Sequence, residues 1–213
     1  TQVVDEARHV EVYDRYLREK VGLTYPVSPH LKSLLDQILR DGRWDMKYLG
    51  MQIMVEGLAL AAFAMIHKFS AEPLIKEITR MVMHDEARHV AFGVLGLKGV
   101  YRDMKPSELR DREDFVIESS RLMRDRFLAQ EVWEKMGLDA KGCVEFALNS
   151  PPLQYFRSLL FSKIVPNLKR LGLLTDYVRP RLEELGILQW EDFDPDANPA
   201  EVLKALEQIE KKG

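Results

Sequence analysis

The chain has 213 residues, 46% of them hydrophobic and 31% charged, with a formal net charge of −3. That length supports one domain with a substantial buried core, and that charge excludes the basic footprint expected of a nucleic-acid or anionic-lipid binder. The single cysteine, Cys143, excludes an intramolecular disulfide and fits a cytoplasmic chain.

No signal peptide is visible. The most apolar window, residues 51–66, is too short to span a bilayer and carries Gln52 and Glu56. A first helix is predicted from residue 1 to about Lys20, closed by Gly22 and the turn at Pro26 and Pro29. A shorter one follows at roughly His30 to Leu39 and stops at Asp41-Gly42. Long helices are predicted from about Arg43 to His67 and from about Pro73 to Met104, with Pro73 suited to a first turn. Pro106-Ser107 opens a further helix to about Met136, stopped by Gly137, and Pro151-Pro152 opens one to about Arg170. Thr175 can cap the segment that leads to Leu185-Gly186. The stretch E-D-F-D-P-D-A-N-P is a linker, and Asn198-Pro199-Ala200-Glu201 is a capping pattern for a last helix. Alternation of period two between hairpin turns occurs nowhere, so the expected class is all-α.

One hexamer, D-E-A-R-H-V, occurs twice, at residues 5–10 and 85–90. On a helix, positions three apart share a face, so Glu6 projects with His9 and Glu86 with His89. A carboxylate oxygen beside an imidazole nitrogen is half of a mixed O/N metal site, and two such helices supply two halves. The competing explanation, a solvated face with local ion pairs, suits a single copy better than two copies flanked by Val4, Val10, Val82, Val90 and Phe92. A third element is Glu56, the only charge in M-Q-I-M-V-E-G-L-A-L-A-A-F-A-M-I. A helix apolar nearly all round is buried, and a buried carboxylate calls for a cation. A lone buried ion pair would meet that need, but a metal ion shared with the two hexamers meets it with groups already in view.

The order Glu-x-x-His, Glu, Glu-x-x-His on successive long helices resembles the ferritin-like di-iron or di-manganese carboxylate proteins, and in particular the ribonucleotide reductase small-subunit family. The resemblance covers roughly residues 1–104. It implies a ferritin-like four-helix bundle, with a core at about 1–137 and a helical C-terminal extension at about 138–213 of a single domain. Glu6, His9, Glu56, Glu86 and His89 would be the metal ligands. Asp5 and Asp85 would each bind the ligand histidine of the opposite motif, with Arg8 and Arg88 balancing the aspartates; an i,i+3 surface pair explains the arginines equally well. The family has one more carboxylate, on a helix before the first Glu-x-x-His. That first bundle helix is expected upstream of Thr1, the alternative being a later acid such as Glu118.

V-E-G-L-A-L-A and D-E-A-R-H-V-A-F-G look most similar to the small-subunit-like ligand-binding oxidases. Met51 stands where those proteins carry a cross-linking tyrosine, five residues before the central Glu. Tyr13, four residues after His9, occupies the radical-tyrosine position of reductase small subunits, with a core or pocket tyrosine as the plainer role. Arylamine N-oxygenases are a third comparison, but Val82 stands where they have an additional ligand histidine. His84 points away from the ligand face, since two residues turn a helix by about 200°, and His30 and His67 read as loop or helix-end residues. Helical rows place Gln52, Ile53, Ala59, Leu60 and Phe63 beside Glu56, and Val82 and Gly93 beside the second motif, an apolar lining with Gln52 as its polar exception.

The function so implied is oxygen-dependent oxidation of a small, apolar organic substrate. The cofactor would be two iron ions or a manganese/iron pair, held by carboxylates that shift between terminal and bridging modes. Dioxygen and an electron donor would be partners, with no nucleic acid and no membrane span, and a homodimer is compatible with the pattern. The rivals are ferritin-like iron storage or detoxification and a radical-generating reductase-like subunit dependent on Tyr13.

Overall fold

The computed structural model describes residues 1–197 together with 201, 202, 204, 205 and 208, and among these there are helices and turns but no strand. The capping pattern predicted at Asn198 to Glu201 lies, apart from Glu201, outside the described residues.

Helix α1 (Gln2–Tyr16) runs into a π-helical turn (Leu17–Val21) and stops at Gly22, whose left-handed φ of 70° needs a residue without a Cβ. Helix α2 (Pro29–Arg40) begins where the Ser28 hydroxyl accepts the Leu31 N–H at 3.4 Å. Helix α3 (Trp44–Tyr48), a π-helical segment (Leu49–Val55) and α4 (Glu56–Phe69) form one continuous rod. This rod, Trp44–Phe69, is longer than the apolar window read from sequence, and by length and composition alone it suffices to cross a bilayer. It carries buried Glu56 and is packed between α5 (Pro73–Leu97) and α9 (Pro151–Arg170), the position of a core helix.

Helix α5 starts at Pro73, with the Glu72 carboxylate accepting the Ile75 N–H at 2.7 Å. It ends at Leu97, not at Met104, because the chain turns through Gly99 at φ 82°. The helix predicted from Pro106 to Met136 is likewise divided. Helix α6 (Pro106–Asp125) gives way to a 3₁₀ turn (Arg126–Leu128), and Ala129 at φ 49° separates that turn from α7 (Gln130–Lys135). No glycine or proline announces this break, and a non-glycine residue at positive φ is uncommon. Helix α8 (Ala140–Asn149), not foreseen, precedes α9. Helix α10 (Val178–Glu184) starts where the Thr175 hydroxyl accepts the Val178 N–H at 3.4 Å.

Helix α9 shares its core with the long rod. Leu160, Phe161, Ile164 and Val165 of α9 are fully buried in the same cluster as Leu49, Ile53 and Met54 of the long rod. Helix α1 is thinly covered: it rests on α5, and His9 is its only buried residue.

Candidate metal centre

Three helices deliver the cluster. Helix α1 presents Glu6 and His9 one turn apart, α5 presents Glu86 and His89 in the same register, and Glu56 opens α4. One ligand atom each from Glu6, Glu56, Glu86 and His89 lies within 4.8 Å of all the others, so this group can hold a metal ion. His89 Nδ1 lies 3.1 Å from Glu6 Oε1, 3.3 Å from Glu86 Oε2 and 3.6 Å from Glu56 Oε2. His9 is outside that group of four but adjoins it, with Nδ1 3.4 Å from Glu86 Oε1 and 3.7 Å from Glu6 Oε2.

The far nitrogen of each ring meets the aspartate of the other hexamer. His9 Nε2 is 3.2 Å from Asp85 Oδ2, and His89 Nε2 is 3.3 Å from Asp5 Oδ2. A carboxylate there holds the proton on Nε2 and leaves the Nδ1 lone pair facing the cluster. The hydrogen bond to His89 keeps the Asp5 carboxyl below its usual range. Burial pushes Asp85 up, but the hydrogen bonds from His9 and Arg8 outweigh it and its net shift is also downward. Arg8 donates to Asp5 at 2.8 Å and to Asp85 at 2.9 Å, while Arg88 donates to Asp85 at 2.6 Å. The arginines therefore join the two hexamers, which goes beyond an i,i+3 pair on one helix.

No lysine or arginine is among the groups that act on Glu56 or Glu86. Burial, then the Glu86 and Glu6 carboxylates, push Glu56 up to about 9, against a lowering from Gln2. Glu86 is shifted up for the same reasons, burial and Glu6, opposed by the two histidines. Glu56 Oε2 and His9 Nδ1 are buried and make no hydrogen bond among the described residues. Carboxylates crowded together and buried, with a nitrogen lone pair beside them, form a donor set that a hard or borderline cation would satisfy.

The other predicted residues fall in different places. Gln52 is buried, and its Oε1 lacks a partner among the described residues. It lies in the π-helical segment against Gly93, where any Cβ would collide with the Gln52 Cβ. A π segment immediately before a candidate ligand is a frequent companion of functional sites. Tyr13 stacks on Phe63 at 5.3 Å between ring centroids, with its hydroxyl unpartnered among the described residues and its pKa pushed up by burial and then by Glu86. The expected single pocket beside Glu56 is divided. Val82 lines a groove of about 380 Å³ between α1 and α5 that also touches His9 and Asp85. Leu60 instead lines a cavity between α4, α5 and α9. Glu118 is outside the cluster and pairs with Arg121 at 2.7 Å. His67 meets the Lys76 carbonyl at 2.9 Å, His84 is exposed, and neither it nor His30 joins the cluster.

Sequence reasoning missed Gln2. Its Nε2 donates to Glu56 Oε1 at 2.7 Å, and it lies four residues before Glu6 on the same face of α1, which was the available signal.

No family model, no curated protein and no solved structure matches the chain. What stands without them is an all-α chain with a Glu/His cluster able to hold a metal ion.

Proposed function

We propose that the chain is an oxygen-activating di-iron, or manganese/iron, carboxylate oxidase of ferritin-like, reductase-small-subunit-like type, acting on a small apolar organic substrate. The observation that carries this reading is the convergence of both Glu-x-x-His motifs and Glu56 on one site, with each histidine steadied by the opposite hexamer's aspartate. Glu6, Glu56, Glu86, His9 and His89 would hold the metal pair, which when bound would supply the reduction of dioxygen. The chain's own work is orientation and exclusion. Asp5 and Asp85 fix the imidazole tautomers, Gln2 holds one oxygen of Glu56, and the burial of Glu56, Glu86 and His89 keeps bulk water from that side. The groove floored by Val12, Ile78, Met81 and Val82 reaches His9 and offers an apolar approach to the site.

Anaerobic Fe(II) titration followed by oxygen addition tests the reading. Two iron ions per chain should saturate the protein, and oxygen should be consumed without a mineral core. Uptake far beyond two per chain would establish the storage rival, and no uptake would end the metal reading.

A further inference from the structure

A second cavity lies away from the metal cluster, in the trough between α4, α5 and α9, with a volume of about 440 Å³. None of Glu6, His9, Glu56, Glu86 or His89 lines it. Its chemistry is segregated by wall. Helices α4 and α5 contribute only apolar side chains, among them Leu60, Ala64, Met83, Ala87 and Val94. The α9 wall carries Lys163 and Asn167, one helical turn apart on the same face. The α5 residues of the lining run from Met83 to Leu95, roughly 18 Å of helix axis, so the space is long and narrow, not compact.

The polar wall is incompletely satisfied. Asn167 is 3% exposed; its amide N–H donates to the Lys163 carbonyl at 2.9 Å, which fixes the other end of the amide as the oxygen. That oxygen, Oδ1, has no hydrogen-bond partner among the described residues. Buried amide oxygens are rarely left so. Lys163 Nζ donates to the carbonyls of Pro195 at 2.7 Å and Ala197 at 2.6 Å, two bonds for an ammonium with three N–H groups. Among the described residues one acceptor and one donor thus remain on adjacent turns of the same wall. Carboxylates already crowd this wall: Asp196, Asp194 and Glu201 act on Lys163, and Arg170 lies 3.8 Å from Asp194 and 4.0 Å from Asp196. A carboxylate brought to this wall would satisfy Lys163 but would meet the Asn167 oxygen and Asp196 without a proton to share. An ammonium would satisfy Asn167 and repel Lys163. A hydroxyl does both jobs, donating to the oxygen and accepting from the ammonium.

We propose that the cavity between α4, α5 and α9 binds a linear aliphatic molecule with an uncharged hydroxyl head, the hydroxyl donating to Asn167 Oδ1 and accepting from Lys163 Nζ. The chain of the ligand lies along the apolar trough of α4 and α5. This site is separate from the proposed metal centre, and its test does not depend on metal loading.

Titration calorimetry on the chain as purified, with decan-1-ol, octan-1-ol and decanoate as probes, decides it. Decan-1-ol should bind saturably at one per chain, and octan-1-ol about 15-fold more weakly, since each methylene removed from water changes affinity roughly fourfold. Decanoate should bind at least about tenfold more weakly than decan-1-ol, as a charged head left without its full partners does. Asn167→Leu should weaken decan-1-ol binding by about tenfold while leaving octan-1-ol still weaker than decan-1-ol. Ala91→Trp, which fills the exposed edge of the trough, should abolish binding. No saturable binding of decan-1-ol overturns the proposal, as does decanoate binding equally well or better. Unchanged affinity in a folded Asn167→Leu removes the assigned head-group contact and overturns it too. Should either variant fail to fold, the head-group and chain-length series on the unmodified protein decides the matter alone.

Discussion

The two copies of D-E-A-R-H-V match at their aspartates, arginines and histidines, but their glutamates and valines sit in different surroundings. On α5, Asp85, Glu86 and His89 are all buried, and Val90 is 9% exposed. On α1 the equivalent Glu6 side chain is 46% exposed and Val10 is 70% exposed; only His9 is buried. The difference comes from neighbours. Helix α5 is enclosed by α4, the π-helical segment, α3 and α1, whereas α1 rests on α5 and otherwise reaches α4 only through side chains such as Gln2 and Tyr13. In the proposed metal site the α5 hexamer would therefore be the enclosed half and the α1 hexamer the solvent-facing half. Local stability follows the number of buried contacts, so α1 is expected to open before α5.

The largest test of this asymmetry is to remove one carboxylate at a time. Glu86→Ala should lower metal affinity by at least about 100-fold, above the roughly 10–100-fold that losing an outer partner costs. Glu6→Ala should cost clearly less, because solvent already reaches the Glu6 position and water can take the vacated place. Isothermal titration with Fe(II) under anaerobic conditions measures both. Equal losses would mean that the two half-sites are equivalent once metal is present and that the exposed α1 face is not a functional difference.

The aspartates come next in size. Asp85→Ala should lower metal affinity by roughly 10–100-fold, since it removes the partner of His9 and the anchor of both Arg8 and Arg88. The optical spectrum of the loaded protein should shift as His9 reorients. Unaltered affinity and spectrum would reassign Asp85 to an ion pair between helices and sever the crossed arrangement from metal binding.

How much of this was readable from residues alone depends on whether the signal was local. The hexamer repeat and the isolated Glu56 are local facts, and the structure brings them together. The crossing of Asp5 to His89 and Asp85 to His9 was expected from resemblance and is seen in the distances. Helix α5 ends at Leu97 and not at the predicted Met104, and Gly99, at φ 82°, is the local signal for that earlier end. The break at Ala129, at φ 49°, has no local signal, since alanine favours helix. The π-helical segment could not be read either. It exists where Gln52 presses on Gly93, a contact between positions distant in sequence. Helical rows put Leu60 beside Glu56 and Val82 beside Glu86 in one pocket, but how neighbouring helices cover those rows is not local, and the two residues line different spaces.

The smallest effect, and the cleanest comparison, comes from the last residue of each hexamer. Val10 and Val90 are the same residue in the same local sequence, so Val→Thr changes the same atoms in both and helix propensity cancels. At Val90 the new hydroxyl enters a buried position, and a buried hydroxyl without a partner costs about 1–3 kcal/mol. Part of that is recovered if the hydroxyl bonds back to the carbonyl four residues earlier, as helical threonines do, so the lower end, about 1 kcal/mol, is expected. At Val10 the hydroxyl faces water, and surface changes of this kind stay within about 0.5 kcal/mol. Urea denaturation of the two metal-free variants reads the difference directly, with unchanged m-values required for the comparison to hold. If Val10→Thr destabilises as much as Val90→Thr, then the α1 face is covered in solution by a partner that buries Val10. The asymmetry between the half-sites would then belong to the isolated chain alone, and the loss should diminish on dilution if that partner is a second copy.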